Sequence, residues 1–178
     1  MTRFSSQLNY GAPASNWMEK LSLLLQKLVN GGVDFVLIGG YAAVAHGASI
    51  MTRDVDVCCR FSFNNLRRVQ EVLADVHPRH RMTPQKLPLD VTEENCARLT
   101  NIYLETDLGV LDCLSEVAGL GGFEAVMTRA VEIDSPAGKF RILALDALIQ
   151  AKETMGRPHD RLTVAQLRAI KERKEHHS

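Results

Sequence analysis

Residues 38–57 read Ile-Gly-Gly-Tyr-Ala-Ala-Val-Ala-His-Gly-Ala-Ser-Ile-Met-Thr-Arg-Asp-Val-Asp-Val. A Gly39-Gly40 turn follows one apolar run, and two carboxylates, Asp54 and Asp56, stand in a second. Strand side chains alternate between faces, so Asp54 and Asp56 are expected to point one way while Val55 and Val57 enter the core. Two carboxylates on one face repel unless a cation sits between them. Hard oxygen ligands of this kind suit Mg²⁺, which is usually held by one or two carboxylates together with substrate phosphates. A glycine turn at a helix start offers backbone N–H groups to those phosphates, with no Cβ in the way.

Outward from this stretch, the pattern alternates between helix and strand. Leu21, Leu24, Leu25 and Leu28 recur at helical spacing and predict a helix over 16–30, capped by Ser15 and closed by Asn30-Gly31-Gly32. Strands are expected over 33–38 and 54–59, with a short Ala-rich helix over 41–46 between them. A helix starting at Asn64 or Asn65 runs to about Val76. Residues 77–98 carry Pro78, Pro84 and Pro88 and read as loop, with a helical turn over 93–98. Strands over 101–106 and 110–114 pair antiparallel, and a short helix spans 121–129. Asp134-Ser135-Pro136-Ala137-Gly138 turns a hairpin between 131–133 and 139–143. Helices over 146–155 and 160–174 end the chain. This order predicts an α/β (α+β) domain: a mixed central sheet flanked by helices, with both carboxylate strands near its centre and C-terminal helices beside it. Residues 1–14 read as a flexible arm. Residues 15–178 form one domain, with a catalytic core over about 15–143 and C-terminal helices over 144–178.

Bulk properties exclude several classes. Twenty-one Lys and Arg balance twenty-one Asp and Glu in 178 residues, so no global basic field advertises nucleic-acid binding. A local patch at Arg67-Arg68 or His77-Pro78-Arg79-His80-Arg81 would suffice for it; the plainer reading is a solvated helix face and a loop. Cys58, Cys59, Cys96 and Cys113 lack Cys-x-x-Cys spacing, which disfavours zinc; all four read as reduced thiols, and Cys58 and Cys113, in apolar strand contexts, as buried small hydrophobes. The polar start from Met1 to Gln7 has no apolar signal core, and no apolar run approaches a membrane span. A cytoplasmic protein with no membrane partner is expected.

The Gly39-Gly40 turn and Asp54-Val55-Asp56 resemble the signature of the nucleotidyltransferase superfamily, the polymerase-beta-like fold. That family has a third carboxylate on a neighbouring strand, and Asp112 in Gly109-Val110-Leu111-Asp112-Cys113-Leu114 is the matching position. Lys152 and Gly156-Arg157-Pro158-His159-Asp160 look like the C-terminal part of small bacterial nucleotidyltransferases of abortive-infection and toxin–antitoxin systems. The likeness covers about residues 20–170. One departure is the turn itself: many minimal antitoxin members have Gly-Ser and an arginine, whereas Gly39-Gly40-Tyr41-Ala42 is closer to toxin-type and stand-alone members.

The resemblance implies a nucleotidyltransferase that moves an NMP from an NTP to a hydroxyl acceptor. The acceptor would be an RNA 3′ end, a protein side chain or a small molecule. Asp54 and Asp56 would hold Mg²⁺ against the triphosphate, and Asp112 would complete a site for a second ion and position or deprotonate the hydroxyl. Mn²⁺ could replace Mg²⁺. Gly39 and Gly40 would approach the phosphates, Lys152 would reach one as a point charge, and Thr52 and Arg53 would meet others. Arg157 and Asp160 would form an ion pair or a helix N-terminus arrangement that orders the site; Asp160 is the N-cap candidate of that helix, and the resemblance places it in the active site. His46 and Tyr41 read better as a cap or core residue and a packed aromatic. The competing reading is a catalytically weak nucleotide-sensing module that binds a cognate toxin or antitoxin protein.

Overall fold

Burial of one leucine stripe explains the first helix. In the computed structural model, which describes residues 15–176, α1 (Ser15–Asn30) buries Leu21, Leu24, Leu25 and Leu28 almost completely. It packs on the sheet through β2, β5 and β9, defined below. The arm expected over residues 1–14 lies outside the described residues, as do residues 177 and 178.

The strand β1 (Phe35–Ile38) passes straight into α2 (Gly39–Ala45), so this helix opens at the glycine pair, two residues earlier than the sequence suggests. The return strand β2 (Asp54–Cys59) lies antiparallel to β1 with Ile38 opposite Asp56. Val55 and Val57 are wholly buried, as the alternation requires. Helix α3 (Phe63–Leu73) is capped by Ser62, whose hydroxyl accepts from the Asn65 N–H. Asn65 is the buried member of this turn: its side chain bonds the backbone of Asp34 and the carbonyl of Arg60, which explains why it does not itself begin the helix.

The proline-bearing segment contributes only β3 (Arg79–His80) and α4 (Glu93–Cys96), the latter held by a capping box between Thr92 and Asn95. A hairpin follows, β4 (Asn101–Thr106) and β5 (Gly109–Leu114), then the small ladder β6 (Glu116–Val117) and β7 (Gly121–Gly122), and α5 (Phe123–Thr128). The second hairpin is β8 (Ala130–Ser135) and β9 (Gly138–Leu143). Helices α6 (Leu145–Met155) and α7 (Pro158–His176) pack on each other, and α6 also packs on α2.

Seven strands form one mixed sheet in the order β3-β4-β5-β2-β1-β9-β8. The β2–β5 and β1–β9 joins are parallel and the others antiparallel. The two aspartate strands are thus central neighbours, and Asp56 stands opposite Asp112 in the register. No described helix is long and apolar enough to cross a membrane.

Candidate active site

Three carboxylates meet where β2 and β5 run side by side. Asp54 and Asp56 leave β2 on one face, and Asp112 comes from the facing position of β5. One oxygen from each lies within 4.8 Å of the others, and no other such trio of acids, thiols or imidazoles occurs among the described residues.

The glycine turn serves this cluster directly. Gly39 has φ +66°, and a Cβ there would lie 2.0 Å from Asp56 Oδ2. The position therefore has to be glycine twice over, for its left-handed backbone and for the carboxylate packed against it. The Gly40 N–H donates to Asp56. The Thr52 hydroxyl lies 3.1 Å from Asp54 Oδ1 and 3.2 Å from the Asp54 carbonyl, so it donates to one or the other. A Cβ on Gly40 would come within 2.7 Å of that same hydroxyl.

Electrostatics leaves the cluster short of positive charge. Burial pushes the Asp56 carboxyl up to about 7, and the charges of Asp54 and Asp112 push it the same way. The Gly40 amide and the more distant Lys152 oppose this without cancelling it. Asp112, only 7% exposed, is also raised by burial, although Arg81 pulls it back. The Arg81 guanidinium grips Asp112 in a two-point fork, Nε 3.2 Å from Oδ1 and Nη2 2.6 Å from Oδ2. Behind it lies the Tyr103 ring, whose centroid is 5.3 Å from the guanidinium carbon.

A second charged group lies between α6 and α7. Lys152 is 4% exposed and Asp160 1%, and Lys152 Nζ donates to Asp160 Oδ1 at 3.0 Å. Arg157 Nε donates to Asp160 Oδ2 at 2.7 Å. Gly156, at φ +62°, closes α6 in the left-handed conformation and turns the chain so that Arg157 and Asp160 return toward Lys152. Burial pushes the Asp160 carboxyl up, but hydrogen bonds from Arg157 and Lys152 outweigh it and hold the group below its ordinary range.

Both groups border one cavity of about 860 Å³. Gly39, Gly40, Thr52, Arg53, Asp54, Asp56, Asp112, Lys152 and Arg157 line it, so the structure brings together every residue the sequence singles out except Asp160, which sits behind Lys152 and Arg157. Leu114, Val117, Leu148, Met155 and Leu162 give the cavity an apolar side. Ser49 also lines it, whereas His46 and Tyr41 do not. His46 caps α2 and its Nε2 donates to the Leu143 carbonyl at 2.8 Å.

Sequence reasoning missed Arg81 and Tyr103 at this site. Their signal is faint: Tyr103 faces Asp112 across the β4–β5 hairpin, and Arg81 belongs to the stretch read as a surface loop or basic patch. Two members of that stretch are engaged elsewhere: Arg81 is spent on Asp112, and His77 Nδ1 lies 2.6 Å from Asp107. Arg67 likewise pairs with Glu71.

The donor set fits a divalent cation. All three side chains offer hard oxygens, they converge from neighbouring strands of one sheet, and the burial and like charge that raise Asp56 are what a bound cation would offset. No protein-family model matches the chain, and no curated protein matches it in sequence. Solved structures do match in fold. The lincosamide antibiotic adenylyltransferase LnuA, in its lincomycin-bound form, superposes with a TM-score of 0.57 at 16% identity, covering 85% of this chain and 96% of that one. A Thermotoga maritima protein itself proposed as a nucleotidyltransferase superposes with a TM-score of 0.54 at 13% identity, covering 89% and 96%. The chain therefore has the nucleotidyltransferase fold, with a mixed central sheet flanked by helices.

Proposed function

We propose that this protein is a divalent-metal-dependent nucleotidyltransferase that moves an NMP from an NTP to a hydroxyl. The observation that carries the reading is the convergence of Asp54, Asp56 and Asp112 at one end of a cavity on this fold. Asp54, Asp56 and Asp112 would hold Mg²⁺, or Mn²⁺ in its place, as one ion or a pair. A bound cation of this kind neutralises the triphosphate and the charge that develops as the phosphoryl group transfers.

The chain's own groups supply position. The Gly40 amide and Thr52 hydroxyl fix the Asp56 and Asp54 carboxylates. Arg53 and Arg157 line the cavity as cations for the triphosphate. Lys152, hydrogen-bonded to Asp160, lines the cavity and adds a positive charge that favours the ionised Asp56. Asp112 orients the acceptor hydroxyl and takes its proton as the oxygen bonds to the α-phosphorus; the bond to the β-phosphate oxygen breaks and pyrophosphate leaves.

The acceptor best supported is a small hydroxylated molecule. A cavity of about 860 Å³ with an apolar side is of small-ligand size, and LnuA, of matching extent, is an adenylyltransferase for an antibiotic. The resemblance of Lys152, Gly156, Arg157 and Asp160 to toxin-type members supports a place in a toxin–antitoxin or phage-defence pair in the cytoplasm, with a cognate protein as partner. The clustering of Asp54, Asp56 and Asp112 argues against a vestigial site, because a dead site has no physical need for three converging carboxylates.

The test is label transfer from the four α-³²P-labelled NTPs, with Mg²⁺, into separated small-molecule, tRNA and protein fractions of a bacterial lysate. Label in the small-molecule fraction, lost in Asp54→Ala, is expected. Asp54-dependent label in RNA or protein would keep the transferase and change the acceptor. No Asp54-dependent label in any fraction would overturn the reading.

A further inference from the structure

The three carboxylates are not equally available. Asp54 and Asp56 accept from neutral donors, the Thr52 hydroxyl and the Gly40 amide. Asp112 has both oxygens taken by the Arg81 fork. We propose that Arg81 is the resident counter-ion of Asp112, so that the nucleotide-free protein offers one cation site, at Asp54 and Asp56, and the Asp112 oxygens open to a cation only when the guanidinium leaves. The inference rests on the metal-dependent reading above.

The physical case is competition for one carboxylate. A bidentate guanidinium satisfies both oxygens and neutralises the charge a dication would need. A dication brought to the same oxygens also meets a like charge a few ångströms away. Arg81 is held in a way that allows exchange. It follows the two-residue β3 at the sheet edge, its backbone N–H is fixed by the Tyr103 carbonyl at 3.0 Å, and its side chain is 31% exposed. The guanidinium already lines the cavity. A triphosphate entering there offers the fork an anionic partner of matching geometry. Arg81 is thus a positioning residue that acts through Asp112.

Binding of Mn²⁺ to the nucleotide-free protein, counted by the loss of the free-ion electron paramagnetic resonance signal, tests this without any turnover. Wild type is expected to bind one ion, lost in Asp54→Ala. Arg81→Met should bind a second ion about tenfold or more tightly than wild type does, and Arg81→Met/Asp112→Asn should return to one. Arg81→Lys keeps the charge but loses the fork; it should shift the second site in the same direction by less, and stands in if Arg81→Met does not fold. Equal numbers of ions bound with equal affinity in wild type and the Arg81 variants would overturn the proposal while sparing the metal site. Absence of Asp54-dependent Mn²⁺ in wild type would overturn the metal reading and this inference with it.

Discussion

The strand carboxylates and the helix ion pair are two charged clusters on one cavity, built on opposite principles. At the α6–α7 junction one acid, Asp160, is answered by two cations, Lys152 and Arg157, and its carboxyl is held low. At the β2–β5 junction three acids are answered by one cation, Arg81, and Asp56 is pushed up to about 7. A neutralised buried network can serve as scaffold. An acid excess costs stability until protons or a bound cation offset it. The contrast sets a neutralised cluster beside one that a cation would complete.

The largest effect should come from emptying the acid cluster. Asp54→Ala is expected to lower nucleotidyl transfer by roughly a thousandfold, of the order seen when a charge-stabilising group is removed from a catalytic site, with the unfolding temperature unchanged or raised. A fall in both would make Asp54 structural and break the contrast. Asp160→Ala should do the reverse in stability. It leaves Lys152 buried without its acid and should cost about 3–5 kcal/mol, or roughly 10 °C in thermal unfolding. Lys152→Met should cost less, since Asp160 keeps Arg157.

Gly39→Ala joins the two kinds of effect. The new Cβ must displace the Asp56 carboxylate and sit at φ +66°, so a loss of about 2 kcal/mol should accompany at least a tenfold fall in transfer. The smallest effect is the most diagnostic. The raised Asp56 stays protonated in the folded protein where it is ionised in the unfolded chain, so its contribution falls as pH rises from about 4 toward 7. Asp56→Asn should therefore stabilise the metal-free protein at pH 8 by on the order of 2 kcal/mol, and the gain should vanish near pH 4. Asp160 has the opposite sign: its support is present above the unfolded value near ~4 and is lost as pH falls through its lower folded value. Thermal melts across pH for the two Asn variants would show slopes of opposite sign, or refute the distinction.

What was legible in the sequence follows local pattern. The alternation Asp54-Val55-Asp56-Val57 fixes which side chains share a face, and β2 has the bounds it predicts. The hairpin at 134–138 and the leucine stripe of α1 are equally local. Asp112 was reachable only through the family resemblance, because periodicity does not say that β5 pairs with β2 in the register that sets Asp112 against Asp56. Arg81 lay further out of reach. Its segment is broken by three prolines, the strand before it is two residues long, and its partner is chosen by tertiary pairing alone. The Lys152–Asp160 pair was out of reach for a similar reason: the resemblance points to a lysine at the site, but only the turn at Gly156 brings Asp160 back to its ammonium.

The central claim is that the acid excess at β2–β5 awaits a cation, and thermal unfolding at pH 8 with and without Mn²⁺ tests it most directly. An ion at a hundred times its dissociation constant should stabilise wild type by about 2.7 kcal/mol, a rise of roughly 5–10 °C, and should leave Asp54→Asn and Asp56→Asn nearly unmoved. An equal rise in wild type and both variants, or none in any of them, would contradict the account.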